Sequence, residues 1–362
     1  MLNIIQQRLT NQQLAGTRFQ TPAEIVSWLG AVQSQDYPGA KWAVGQRLQG
    51  ITDTDLDQAL ADGNIIRTHV LRPTWHFVTS DDIGWMLALT APRVMTLMSY
   101  YYRQIGLDDT VFARCNEIIA RALAGGKQMT RAELTIELER AGLPFDAARM
   151  GFITGQAELN GVICSGALRG KQQTYALLSE RAPHARRLER DEALAELALR
   201  YFTGHGPATL KDYVWWSGLT TADARAGIEM VKQQLTSETV DAQTYWFSPS
   251  MPTEPAIPMI AYLLPNYDEY LVGYADRSAA FDTQFTHKLN QQDGIVFNNV
   301  IVLEGLVVGT WKRTLKKNTV IVETNLFRPL TAVEDEAVNS AAQRYGDFLG
   351  LTVQMPQVSI SA

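Results

Sequence analysis

The sequence has 362 residues, of which 46% are hydrophobic and 19% charged, and its formal net charge is -6. This composition is typical of a globular protein with two or three domains, and no apolar run is long enough to span a bilayer. The acidic balance argues mildly against a nucleic-acid partner, since proteins that bind duplexes usually carry a basic excess.

The N-terminus and the cysteines indicate the cellular compartment of the protein. Residues 2–9 are typical of a short amphipathic helix and not of a signal peptide. The two cysteines, Cys115 and Cys164, lie far apart and have no metal-ligand spacing. The sequence therefore predicts a cytoplasmic protein that holds neither a metal nor a cofactor.

The first 80 residues predict helices followed by a β-hairpin. Apolar periodicity and capping signals predict helices over 2–9, 22–34, 39–49 and 54–62. Two β-rich runs, 65–71 and 75–79, follow, and Pro73 lies in the turn between them. Helices that precede a hairpin are typical of a winged helix, a variant of the helix-turn-helix architecture.

The same order of elements recurs twice along the chain. Residues 81–180 predict several helices and then strands at 162–164 and 174–178. Residues 187–248 predict helices over 188–203 and 221–235 and a closing hairpin. We therefore expect three tandem winged-helix modules, with bounds at 1–80, 81–180 and 187–248.

A spaced run of prolines, at 249, 252, 255 and 258, predicts a linker, after which the sequence becomes strand-like. Strands are predicted at 259–264, 294–297, 300–303, 306–311 and 319–323, before a helix over 332–349. The fold class is thus α+β: tandem winged helices, then a small antiparallel β-barrel or sheet domain over 259–355 with a C-terminal helix.

Two glutamines near the end of the predicted helix 22–34 are the candidate catalytic residues. Residues i and i+2 point in nearly opposite directions in a helix but the same way in an extended segment. The helix cannot run far past Gln35, because Pro38 disfavours a helical conformation at the residue before it. If the chain leaves the helix near Ser34, the amides of Gln33 and Gln35 face one cleft; otherwise the segment is a polar helix end on the surface.

Several segments, in this order along the chain, resemble those of the AlkZ-type winged-helix DNA glycosylases. They are Gln33-Ser34-Gln35-Asp36 with Lys41-Trp42-Ala43, and the stretches 66–76, 263–270, 274–278 and 309–313. The resemblance covers almost the whole chain, and Gln35 places the sequence in the Gln-x-Gln branch, because a sister branch has an acid there. It also implies tandem winged helices and a C-terminal β-barrel.

The resemblance implies a monofunctional DNA glycosylase that excises cationic N-alkylated purines, such as N7-alkylguanine and N3-alkyladenine. In some members of the family this activity extends to unhooking interstrand crosslinks. Gln33 and Gln35 would position the water that attacks C1′, and a neutral amide suffices only because a cationic purine is already a good leaving group. Asp36 is a second candidate, since a carboxylate activates water better than an amide, although an acid at this position is also a common turn former.

Double-stranded DNA with alkylated bases is the predicted partner, without a membrane or an obligatory protein partner. Predicted DNA contacts are basic residues of two hairpins: Lys312, Arg313, Lys316, Lys317, Arg67 and Arg72. The first four also fit a solvated hairpin. Asp268, Asp276 and Arg277 are interpreted as structural, the last two as a buried ion pair.

Two rival functions fit the same predicted fold. A winged-helix transcriptional regulator would use the modules for sequence readout alone, without catalysis. A catalytically silent protein would use the cleft to bind a small molecule. Neither rival gives the paired glutamines a particular role.

Overall fold

A computed structural model describes residues 2–16, 18–249, 260–285, 294, 298–356 and 359–360. The protein is a mixed α+β fold, as predicted, and no described helix is long and apolar enough to cross a membrane. The first segment contains α1 (Ile4–Asn11), α2 (Pro22–Leu29), β1 (Val32–Gln33), α3 (Tyr37–Gly45), α4 (Asp53–Asp62), β2 (Ile65–Val70) and β3 (Arg72–Thr79).

The next two segments repeat helices and small sheets. The second contains α5 (Ile83–Gln104), α6 (Asp109–Leu123), β4 (Met129–Thr130), α7 (Arg131–Arg140), α8 (Ala147–Leu159), β5 (Ile163–Ser165), β6 (Thr174–Leu177) and α9 (Leu178–Arg181). The third contains α10 (Arg190–Gly204), α11 (Leu210–Ser217), α12 (Thr221–Val231), β7 (Thr236–Val240) and β8 (Gln243–Phe247). The first two sheets have the same strand order, β1-β3-β2 and β4-β6-β5. The winged-helix assignment and the domain bounds stay predictions.

The C-terminal segment forms one curled sheet, a half-barrel and not the closed barrel that was predicted as one option. Its elements are β9 (Ala261–Leu264), α13 (Glu269–Val272), β10 (Val300–Leu303), β11 (Leu306–Leu315), β12 (Thr319–Leu326), α14 (Ala332–Leu349), β13 (Thr352–Gln354) and β14 (Ser359–Ile360). The sheet is not purely antiparallel, because β13 and β14 both pair in parallel with β12. Most of the strand predicted at 294–297 and of the proline linker lies outside the described residues.

The prediction of a helix over 22–34 is wrong for the last residues, because α2 ends at Leu29. Gly30 follows with φ of +78°, a conformation that favours glycine and turns the chain out of the helix. Val32 and Gln33 then pair with Phe77 and His76 as a third strand of the first sheet. Sheet pairing and the burial of Val32 outweigh the helical pattern.

The first segment and the C-terminal sheet share one hydrophobic core. Trp42 of α3 packs with its ring centroid 5.0 Å from that of Tyr345 and 5.1 Å from that of Phe348, both on α14. Its indole N–H donates a 2.7 Å hydrogen bond to the carbonyl of Leu263 in β9. The C-terminal sheet is therefore part of the support of the glutamine segment.

Candidate active site

Gln33 is held on two sides by residues that lie far from it in the sequence. Its backbone N–H donates to Glu269 Oε1 at 2.9 Å, and its side-chain Oε1 accepts from a terminal nitrogen of Arg72 at 3.0 Å. A guanidinium has donors and no acceptor, so the atom that faces Arg72 must be the amide oxygen. The amide nitrogen of the buried Gln33 is then the group that this side chain can offer to a ligand.

Glu269, the first residue of α13, is a fully buried carboxylate. Besides the Gln33 N–H, it accepts from Trp216 Nε1 at 2.9 Å and contacts His205 Nε2 at 3.1 Å. Burial alone raises the pKa of this carboxyl, but His205, the Gln33 N–H and the charge of Arg72 together hold the pKa below its ordinary value. Glu269 is therefore ionised, and its carboxylate fixes the backbone of Gln33.

The chain leaves β1 through Ser34, which is also fixed. Ser34 N donates to the carbonyl of Trp75 at 2.7 Å, and Ser34 O accepts from Arg67 Nε and a terminal nitrogen of Arg67 at 3.1 and 3.0 Å. Arg67 lies with its guanidinium carbon 4.4 Å from a ring centroid of Trp75. Gln35, the next residue, is exposed. An ordered segment thus presents one buried and one exposed glutamine.

Asp36 lies at the start of α3, and its carboxylate forms an ion pair with Arg313 at 3.2 Å. Arg313 also donates to the hydroxyl of Tyr345 at 3.2 Å, and its side chain is only 17% exposed. Gly39 makes room for this arrangement, since a Cβ there would lie 2.7 Å from Asp36 Oδ2 and 3.1 Å from Asn266 Oδ1. The ion pair joins the glutamine segment to β11.

The basic residues of the β11–β12 hairpin differ in exposure. Lys312, Lys316 and Lys317 are exposed, whereas Arg313 is turned toward Asp36. Lys312 pairs in register with Glu323 of β12. The hairpin therefore carries three exposed lysines, and its Arg313 contacts the glutamine segment through Asp36.

Comparison with known proteins identifies the family. The chain matches the family described as "DNA glycosylase AlkZ-like" over residues 26–348. It belongs to this family. An "Interstrand DNA cross-link repair glycosylase" of Streptomyces sahachiroi is 25% identical over 353 residues, which cover 92% of this chain and 94% of the relative. The solved structure of Streptomyces sahachiroi DNA glycosylase AlkZ matches 98% of each chain with a TM-score of 0.78 and 21% identity, so the two share a fold.

The predicted family is thus confirmed, and this AlkZ-like protein is a DNA glycosylase. The alternative of a transcriptional regulator without catalysis is not favoured by that membership. The predicted site residues lie in three groups: Gln33, Gln35 and Asp36 on one segment, Arg67 and Arg72 beneath it, and the basic hairpin beside it.

His76 of this AlkZ-like glycosylase lies behind Gln33, its partner in the sheet. It is fully buried, and its Nδ1 lies 3.0 Å from the carbonyl of Thr74. Burial, and then the charge of Arg72, lower the pKa of His76 to about 3. The imidazole is therefore neutral at physiological pH and contributes packing and polarity, not charge.

Sequence reasoning missed several residues of this site. Glu269 and Asp268 are adjacent in a family-matching segment, but Asp268 forms the buried ion pair, with Arg47 at 2.8 Å, while Glu269 faces Gln33. The ion pair predicted between Asp276 and Arg277 is not formed within the described part of the chain: Arg277 Nε donates to the carbonyl of Leu271 instead. Nothing in the sequence pattern distinguishes the two adjacent acids, because both lie at the start of α13.

Proposed function

We propose that this AlkZ-like DNA glycosylase excises cationic N-alkylated purines, N7-alkylguanine and N3-alkyladenine, from double-stranded DNA. Water held by Gln33 and Gln35 attacks C1′ of the damaged nucleotide. The observation that carries the proposal is the anchoring of Gln33 between Arg72 and Glu269, two residues before the exposed Gln35. A polar segment fixed so closely matches what preorganised catalysis requires.

The chemistry suits weakly basic amides. When the glycosidic bond breaks, its electron pair neutralises the cationic purine, so the leaving group needs no proton. The sugar then carries the positive charge, and water adds to C1′ and releases one proton to solvent. What the site must supply is a positioned water and polar groups around the sugar, and two amides can supply both.

The hydrogen bonds around Gln33 give the two amides different roles. Because Arg72 occupies the oxygen of Gln33, the Gln33 amide N–H donates to the water oxygen. Gln35, exposed and two residues further along the chain, accepts a water hydrogen with its side-chain amide oxygen. Asp36 is occupied by Arg313, so we assign it the support of the β11–β12 hairpin rather than the activation of water.

Two basic hairpins supply the proposed DNA contacts. Lys312, Lys316 and Lys317 are exposed and reach phosphates, while Arg313 joins their strand to Asp36. Arg67 and Arg72 lie under the glutamine segment, where their positive charge favours a DNA strand that passes over it.

Unhooking of interstrand crosslinks is part of the proposal. The relative from Streptomyces sahachiroi is named for crosslink repair, and it aligns with 92% of this chain. The exposure of Gln35 supports this wider range, because an open site accepts a purine that still carries a large substituent.

The test uses three duplexes, which carry N7-methylguanine, N3-methyladenine or a nitrogen-mustard crosslink, and scores alkali-sensitive abasic sites. We expect excision of all three, and none from a duplex with uracil, whose base leaves poorly without acid catalysis. Absence of abasic sites with every alkylated duplex would overturn the proposed function, and excision of uracil at a similar rate would overturn the proposed substrate class.

A further inference from the structure

Trp215 is a large aromatic residue exposed beside the glutamine segment. Its side chain lies at 45% relative exposure, although the adjacent Trp216 is fully buried against Glu269. The indole N–H of Trp215 donates to the carbonyl of Val272 at 3.0 Å, which fixes the ring on the surface of α11. The helix therefore holds an aromatic face at the edge of the candidate active site.

Two guanidinium groups lie against this ring. The Cζ atom of Arg72 is 5.9 Å from the Trp215 ring centroid, and that of Arg277 is 5.2 Å. Such contacts attract a guanidinium to the indole face and restrict its motion. Trp215 thus holds two positive charges together, and one of them, Arg72, is also hydrogen-bonded to Gln33.

Both guanidiniums keep unused donors that can bind an anion. Arg277 donates through Nε to the carbonyl of Leu271, and its two terminal nitrogens make no further hydrogen bond to described residues. Arg72 uses one terminal nitrogen for Gln33, while its buried Nε has no partner in the part of the chain that the structure describes. A buried donor without a partner is costly, and a ligand oxygen removes that cost.

The carboxylates nearby are already occupied. Asp212 accepts from the backbone N–H groups of Ala275 and Asp276, and Asp276 accepts from that of Ser278. Glu269 is occupied by Gln33, His205 and Trp216. Among the described residues no carboxylate forms an ion pair with Arg72 or Arg277; Glu269 acts on Arg72, and Asp212 and Asp276 on Arg277, only through their charge, so both guanidiniums keep donors for an external anion.

We propose that Arg72 and Arg277, supported by Trp215, bind one phosphate group of the damaged DNA strand, next to the nucleotide that is excised. Guanidinium forks match the oxygens of a phosphate, and two forks provide more donors than one phosphate needs. The 3.0 Å contact between Arg72 and Gln33 places this phosphate beside the reacting sugar. The inference rests on the proposed function, since it assumes that the damaged nucleotide lies at Gln33.

The experiment combines protein variants with DNA in which single phosphates are made neutral. Duplexes with an abasic-site analogue carry a methylphosphonate at one of the phosphates that flank the lesion. We expect one such position to weaken wild-type binding about tenfold, the scale of one charged hydrogen-bonded contact. The variant R277Q should bind the unmodified duplex about tenfold more weakly, with a salt slope lower by about 0.9, and that methylphosphonate should not weaken its binding further.

Three controls make the result specific. R277K keeps a charge but no fork, so it should recover part of the salt slope without the full affinity. W215A should weaken binding as R277Q does, whereas W215F keeps an aromatic face and should retain most of it. R140Q removes an exposed arginine of α7 that is paired with Glu137, and it should leave both affinity and slope unchanged.

The outcomes separate the two proposals. Excision of N7-methylguanine by the wild-type protein, measured in parallel, tests the proposed function alone. If that excision is normal but R277Q binds every methylphosphonate duplex like the wild type, the phosphate site is overturned and the proposed function stands. Inorganic phosphate serves as the competing ligand. If it stabilises the wild type as strongly as DNA does, and does not stabilise R277Q, the site binds a free anion and the assignment to a DNA phosphate is overturned.

Discussion

Arg72 and Gln33 are joined by a 3.0 Å hydrogen bond from the guanidinium to the amide oxygen. Because Arg72 cannot accept a hydrogen bond, this contact sets the orientation of the Gln33 amide and leaves its N–H group for another partner, which we propose is the attacking water. The two residues are 39 positions apart and meet because β1 and the start of β3 lie in one sheet.

This contact predicts coupling between the two residues. R72Q should lower the single-turnover rate of base excision about tenfold or more, the range of a hydrogen bond to a charged group. In a Q33A background the same change should cost much less, because the amide that Arg72 orients is gone. Equal losses in both backgrounds would show that Arg72 acts independently of Gln33.

Gln35 is expected to be the more critical glutamine. Q35A should reduce base excision about 100-fold or more, the scale of losing one preorganised polar group. Binding to a duplex with an abasic-site analogue should change little, because phosphate contacts dominate affinity. Q33A should behave similarly with a smaller loss. If D36N alone abolishes excision while both glutamine variants remain active, the carboxylate activates the water and our assignment of roles is wrong.

The exposed lysines of the β11–β12 hairpin should determine much of the salt dependence of DNA binding. Replacing Lys312, Lys316 and Lys317 with Gln should weaken binding and lower the slope of log affinity against log salt by about 0.9 for each phosphate that the protein no longer neutralises. Arg313 is left in place, because its ion pair with Asp36 is a structural contact. A slope equal to that of the wild type would indicate a hairpin that is only solvated.

His76 predicts a dependence of stability on pH. Its pKa is lowered to about 3 in the folded protein, against about 6.5 in an unfolded chain. Its contribution is therefore complete above pH 6.5 and is lost as pH falls toward 3, because the unfolded chain takes up a proton that the folded one rejects. The free energy of unfolding should fall by up to about 1.4 kcal/mol per pH unit in that window.

Urea unfolding of the wild type and of H76Q between pH 7 and pH 4 measures this effect. H76Q should show a shallower decline with pH, whatever its stability at pH 7. H184Q, at an exposed position, is the matched control and should follow the wild-type slope. Parallel curves for wild type and H76Q would contradict the assignment.

The element order was predictable because it depends on local signals. The capping box of Thr21 and Glu24 and the left-handed Gly63 that ends α4 both form as the sequence indicates. The strand of Gln33 was not predictable, because residues 30–33 continue a helical apolar pattern and their pairing partner is 43 residues away at His76. Only tertiary packing decides between the two conformations.

The candidate site was likewise predictable only in part. The two glutamines follow from a short motif in the sequence, and the structure adds what surrounds them. Glu269 fixes the backbone of Gln33 from behind, and His205 contacts Glu269; both come from segments whose approach depends on the completed fold. Trp215 lies beside the buried Trp216, and no sequence pattern distinguished the exposed indole from its neighbour.

The hydrogen bond between Gln33 and Glu269 spans 236 residues of the chain. A ribosome-bound chain that ends before Glu269 lacks the carboxylate that fixes Gln33, and it also lacks the sheet against which Trp42 packs. Synthesis of the protein therefore delays the assembly of a competent site until most of the chain has emerged. If Gln33 acts as we propose, a chain truncated before Glu269 should therefore excise no alkylated base.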